Sequence, residues 1–195
     1  MPSPKVQQEY VKYLKNKNGE ISCMNNRYKK IYKHSYVNAY LTQFKNGKKI
    51  IKRYSDDPMA DAFFSHLSIR LTCFNCVFKT LHRLSDITVG DFWFSEQYGF
   101  GEDLLGINLC LIQSQSGEEL INFIESEIEK QRIDANEAII LNGGMLYSSC
   151  SVNQNREQFF QQLGTMQFDR LVYKYDGKTK LNRCKNFIRE LIAPF

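Results

Sequence analysis

Between residues 36 and 54 the chain reads as two β-prone runs, 36–44 and 49–54, on either side of Lys45-Asn46-Gly47-Lys48. Asn-Gly between such runs is the strongest short-range signal for a β-hairpin, because both residues tolerate the positive φ that a tight turn needs. Two antiparallel strands are thereby expected early in the chain, and residues 21–28 predict a third. The flanking segments carry helix signals instead. Pro4 after Ser3 predicts a helix whose Val6, Tyr10, Tyr13 and Leu14 share one side and that stops at Asn18-Gly19. Pro58 behind Asp56-Asp57 opens a second, running through Phe63, Phe64 and Leu67.

Further along, Ile87, Val89 and Phe92 predict a short strand, and residues 107–112 a longer one buried on both faces. From Ser116-Gly117 the chain turns into a helix with Leu120, Ile121, Ile124 and Ile128 on its apolar side and glutamates outside. Residues 133–136 are expected to be extended, and 137–141 to form a helical turn closed by Asn142-Gly143-Gly144. After a polar stretch, helices are expected over 156–163, 168–175 and 181–192. This order predicts the α+β class: a mixed sheet with an N-terminal hairpin, flanking helices and a helical C-terminal segment. Residues 1–150 would form the α+β body, and 151–195 a helical segment of the same domain.

Composition excludes several classes. With 195 residues, 43% of them hydrophobic, the chain can bury a substantial core. No apolar run approaches the roughly 18 residues of a membrane span, and no basic-then-apolar leader is seen, which predicts a cytoplasmic protein. Six cysteines without regular spacing read as thiols, not as a disulfide scaffold. The net charge of +5 gathers at residues 12–33 and 174–189, where solvated faces or contact with an acidic partner protein account for it better than nucleic acid does. There is no Gly-x-Gly-x-x-Gly, no phosphate loop and no nucleophile elbow, so the common nucleotide folds and hydrolases lack an anchor.

Chemistry concentrates between Arg70 and Trp93. The Cys73-x-x-Cys76 spacing lets two thiolates converge on a metal or close a redox disulfide. It is half of a site, since structural zinc and a four-iron cluster each take about four ligands. Cys23, Cys110, Cys150 and Cys184 stand singly, and Cys110 and Cys184 read as packing residues. Of the three histidines only His82 is close enough in sequence to join. Lys79 and Arg83 are spaced to lie together on a helix or turn, either to neutralise a bound anion or to pair with Asp86 or Asp91. Asp86 and Asp91 flank the short strand and point to opposite faces if it is regular. Trp93, the single tryptophan, is expected in the core.

The run Cys73-x-x-Cys76-x-Phe78-Lys79, followed by Arg83 and by Ser85-Asp86-Ile87-Thr88-Val89-Gly90-Asp91-Phe92-Trp93, resembles the C-terminal domain of the coenzyme F420 hydrogenase/dehydrogenase beta-subunit family. These are iron-sulfur flavoproteins that pass electrons between clusters and a deazaflavin or related acceptor. The likeness extends to Pro2-Ser3-Pro4-Lys5-Val6, to residues 106–112 and 116–120, and to Arg156-Glu157-Gln158-Phe159-Phe160. It implies Cys73 and Cys76 as ligands of a 4Fe-4S cluster, and Lys79, Arg83, Asp86, Gly90 and Asp91 as cofactor-binding residues for a flavin (FAD) that converts two-electron to one-electron transfer. It also implies a ferredoxin-like N-terminal region ahead of the Pro-Ser-Pro segment, together with redox partner subunits. The chain therefore looks like an excised domain, without cofactor and inactive by itself. Phe94 stands where the family usually has Gly. Two rival readings remain: a non-catalytic partner-docking domain linked to polysaccharide biosynthesis, and a zinc-stabilised binding module.

Overall fold

The computed structural model describes residues 2–32, 35–93, 95–99 and 106–178. His34, Phe94, Cys184 and the helix expected over 181–192 lie outside them. The chain forms two compact units, one comprising residues 1–74 with 151 onward and the other residues 75–150.

In the first unit, α1 (Pro4–Asn18) begins with proline, where the missing N–H would have had no intrahelical partner anyway. It ends at Gly19, whose φ of 92° suits glycine and whose N–H donates to the Lys15 carbonyl. Ser3 stands at the N-cap, but its side chain makes no capping bond. Its N–H instead donates to the Ser68 carbonyl over 2.6 Å. Strands β1 (Ile21–Tyr32), β2 (Ser35–Phe44) and β3 (Lys49–Arg53) then form one antiparallel sheet in sequence order. The turn between β2 and β3 is built as expected: Gly47 takes a φ of 86°, and the Asn46 side chain accepts the Lys48 N–H.

Helix α2 (Pro58–Phe64) is capped by Asp57, whose carboxylate accepts the Met59 N–H over 2.8 Å. It stops before Leu67, because His66 adopts a left-handed φ of 62° while its Nδ1 meets the Ser151 carbonyl at 3.0 Å. Leu67 is nonetheless fully buried. Two further helices, α5 (Arg156–Gln161) and α6 (Phe168–Tyr175), supply Phe159, Phe168, Leu171 and Val172 to the core that Val6, Tyr10 and Leu14 of α1 begin. The Tyr10 and Phe168 rings lie 5.5 Å apart.

The second unit holds β4 (Ile87–Asp91) paired antiparallel with β5 (Asn108–Ile112), followed by α3 (Gln115–Phe123) and α4 (Ala135–Leu146). The fold class is α+β. A single mixed sheet was expected, but the strands form two antiparallel sheets with no parallel pair among the described residues.

Five expectations for this unit are corrected. Strand β5 is not buried on both faces: Leu109 is buried beside Phe92, Ala138 and Leu146, while Cys110 is exposed. Cys110 is thus an outward residue and not a packing one. On α3 the periodic apolar side joins neither core cluster: Leu120 is 51% exposed, and Ile121 and Ile124 are only half-buried. Helix α4 runs through Gly143-Gly144 to Leu146, with a local break at Asn142 instead of an end. The buried Asn142 side chain accepts the Trp93 N–H at 2.9 Å and donates to the Ala138 carbonyl at 3.1 Å, so a tertiary contact pins the break. Trp93 itself is 61% exposed and outside the core. No helix among the described residues is long and apolar enough to cross a membrane.

Candidate functional site

The boundary between the two units falls inside the Cys-x-x-Cys. On the first side, Cys73 closes a single 3₁₀ turn, Leu71–Cys73, and its N–H donates to the Arg70 carbonyl over 3.0 Å. The segment leading into and out of that turn is held by Arg156 of α5. Its Nη2 donates to the Ile69 carbonyl at 3.0 Å, and its guanidinium lies 4.2 Å from the Phe160 ring centre and 5.6 Å from that of Phe74. Stacking of a weakly hydrated guanidinium on two rings, plus a directed hydrogen bond, is a geometry lysine would not reproduce. Arg156 is the residue that sequence reasoning missed. Its only signal was its place in the Arg-Glu-Gln-Phe-Phe run, which says nothing about what it touches.

On the second side, the Cys76 N–H donates to Ser149 Oγ at 3.2 Å, and its carbonyl accepts the Lys79 N–H, closing a turn. Cys73 and Cys76 are half-buried and neither is in a disulfide. Residues 74–86 form turns and bends, not a helix. The two cations of this segment both reach the C-terminal end of α4: Lys79 Nζ donates to the Gly144 carbonyl, and Arg83 Nη2 to the Leu146 carbonyl at 2.9 Å. The last carbonyls of a helix have no intrahelical donor and sit at the negative end of its dipole, so they draw cations. Arg83 Nε is spent on the Thr80 carbonyl.

Asp86 serves the other helix of this unit. Its Oδ1 accepts the Ser114 hydroxyl at 2.5 Å, and its carbonyl accepts the Gln113 N–H at 2.8 Å. Ser114 Oγ in turn accepts the Gly117 N–H at 3.2 Å, so Asp86 stands behind the cap of α3. The serine that caps this helix comes two residues before the Ser116-Gly117 turn expected from sequence. Gly90 pairs with Leu109 and Asp91 with Asn108. Asp91 is exposed and, by strand alternation, shares its face with Val89 and Cys110. His82 is exposed, its N–H donating to Thr80 Oγ1. No group of three or more His, Cys, Asp or Glu side chains that could hold a metal occurs among the described residues.

The family described as the C terminus of the coenzyme F420 hydrogenase/dehydrogenase beta subunit matches residues 2–137, well over half of the chain and all of the 70–93 segment. The chain belongs to this family. No curated protein and no solved structure matches it. The match covers the hairpin sheet, the Cys-x-x-Cys and the β4–β5 pair; α5 and α6, with Arg156, lie beyond it.

Proposed function

We propose that this chain is the C-terminal part of an iron-sulfur flavoprotein acting in electron transfer, with Cys73 and Cys76 contributing two thiolates to a 4Fe-4S cluster. The observation that carries this is the family match, which spans the Cys-x-x-Cys motif. Two thiolates are half of the set such a cluster takes. The described residues do not complete it, so the remaining ligands would come from the rest of the protein, such as a ferredoxin-like N-terminal region. For FAD the support is the family alone. Lys79, Arg83 and Asp86 are engaged in holding α3 and α4, and a flavin would have to exchange those bonds; Gly90 and Asp91 lie on β4. A cytoplasmic setting, where thiols stay reduced, accords with this use of the cysteines.

The test is visible absorption after anaerobic reconstitution with iron and sulfide. The chain as it stands should be folded and colourless, and a version carrying the N-terminal region should absorb. Cys73→Ser and Cys76→Ser should each abolish that chromophore, since a hydroxyl is a poor ligand for a soft iron-sulfide core. Cys110→Ser and Cys184→Ser should not. An unchanged cluster spectrum in the first two variants overturns the assignment.

A partner-docking role has an observation of its own. Phe78 is 77%, Leu84 107% and Phe123 84% exposed in the second unit, and large apolar side chains in contact with water mark surfaces that other chains cover. A longer protein that binds neither cluster nor flavin, yet associates stoichiometrically with a redox protein, would favour that reading.

A further inference from the structure

The first unit contains a cavity that none of the motif residues touches. It lies between α1 and strands β2 and β3, and its volume is about 170 Å³. Its walls follow from the two backbone periodicities. Tyr10, Tyr13, Leu14 and Lys17 recur at helical spacing on α1, while Tyr40 and Thr42 on β2 face Lys52 and Ile50 directly across the ladder on β3. Cross-strand partners share a sheet face, so four side chains of that face meet one side of the helix.

Some polar groups here are already occupied. Asp57, at one end, accepts the Tyr10 hydroxyl at 2.7 Å and the Met59 N–H. Lys17 donates to Asp169 and to the Tyr13 hydroxyl, and the Tyr13 hydroxyl donates to Asp169. Three groups are not. The Tyr40 hydroxyl, the Thr42 hydroxyl and the Lys52 ammonium line the cavity and have no side-chain hydrogen bond or ion pair among the described residues. Thr42 is only 3% exposed.

We propose that this cavity binds a small single-ring carboxylate, the ring lying against the tyrosine walls and the carboxylate accepting from Lys52, Tyr40 and Thr42. Size, shape and charge each contribute. A cavity of about 150 Å³ is known to admit one benzene ring, so 170 Å³ takes a ring and little more. The walls contributed by Tyr10, Tyr13 and Tyr40 are aromatic, which suits a planar apolar body. The three unused groups are two hydroxyls and a cation, all able to donate to one anionic group, and a charge-assisted bond from lysine is the strongest of them. The one carboxylate in the wall, Asp57, accepts from Tyr10 and from backbone N–H groups and caps α2; the Lys52 charge acts on it, but without a contact short enough for an ion pair. The site is separate from Cys73 and Cys76 and does not depend on their assignment.

Three probes separate the contributions: benzoate, benzyl alcohol (the ring without the charge) and acetate (the charge without the ring). Amide chemical shifts of the chain are followed in each titration. Benzoate should give saturable shifts concentrated in residues 10–18 and 40–52, with a Kd at least about tenfold below that of either control. Lys52→Met should weaken benzoate by about tenfold or more with an unchanged melting temperature, and Thr42→Val and Tyr40→Phe should each weaken it several-fold. If Lys52→Met does not fold, Tyr40→Phe carries the comparison. The proposal is overturned if benzoate gives no saturable shifts in the millimolar range, if its shifts lie elsewhere, or if benzyl alcohol binds as tightly as benzoate.

Discussion

Replacing Gly117 with alanine isolates the contact that joins the SDITVGDFW run to α3. On helix propensity alone the change should help, because alanine is favoured over glycine by up to about 1 kcal/mol in a helix. The tertiary setting reverses this. A Cβ at Gly117 would lie 2.5 Å from the Asp86 carbonyl oxygen and 3.1 Å from Ile87 Cγ1. The oxygen cannot retreat freely, since it accepts the Gln113 N–H at 2.8 Å, and Asp86 Oδ1 is bonded to Ser114. Relief of the clash therefore requires moving backbone, which in packed sites costs about 1–3 kcal/mol, and it weakens a hydrogen bond worth about 0.5–1.5 kcal/mol. Set against the propensity gain, the net expectation is a loss of about 2 kcal/mol. Urea unfolding measures it, with amide exchange at Gln113 and Gly117 showing whether the loss is local. Gly144→Ala is the control: nothing lies within 4 Å of its added Cβ and it too is helical, so it should be neutral or stabilising. A Gly117→Ala protein as stable as the parent, or more so, would refute the claim that Asp86 and α3 are in contact.

Burial pushes the Asp57 carboxyl from its ordinary 3.8 up to about 6, so the folded state holds a proton that the unfolded chain has released. The stability it contributes is complete below about pH 4 and is lost as pH rises through about 6, a change on the order of 3 kcal/mol; urea midpoints taken across that window should fall for the parent and stay flatter for Asp57→Asn. Phe159→Ala removes a fully buried ring from the first unit's core and should cost about 3–5 kcal/mol in the same assay, although Phe159 is distant in sequence from α1. Arg156→Met keeps length and apolar contact but leaves the Ile69 carbonyl without its donor, with an expected loss of about 1–2 kcal/mol and faster amide exchange at Cys73 and Phe74. Trp93, being exposed, should emit at long wavelength and be quenched readily by acrylamide in the native protein; a blue-shifted, protected emission would contradict its placement.

Local signals in the sequence determined the parts whose geometry is decided within a few residues. Asn46-Gly47 specifies the β2–β3 turn because few residue pairs accept its dihedral angles, and Pro4, Asp57-Pro58 and Gly19 mark helix ends through a missing N–H, a cap or a positive φ. The α+β class and the family-bearing motif were legible for the same reason. Tertiary structure decided everything that depends on which apolar face finds a partner. The spacing of Leu120, Ile121 and Ile124 describes an amphipathic helix, but it cannot say whether another element covers that side, and here Leu120 and Phe123 are exposed. Gly143-Gly144 would end an isolated helix, yet α4 resumes to Leu146 past a break at Asn142, whose side chain is held by Trp93. The resemblance implies cofactor binding for Lys79, Arg83 and Asp86, but it says nothing of the Gly144 and Leu146 carbonyls and the Ser114 hydroxyl that they engage, 28 to 65 residues away. The return of residues 151 onward to complete the core around α1 is likewise invisible in any window of the chain. Periodicity encodes what a segment can bury, and only the closed fold supplies what it is buried against.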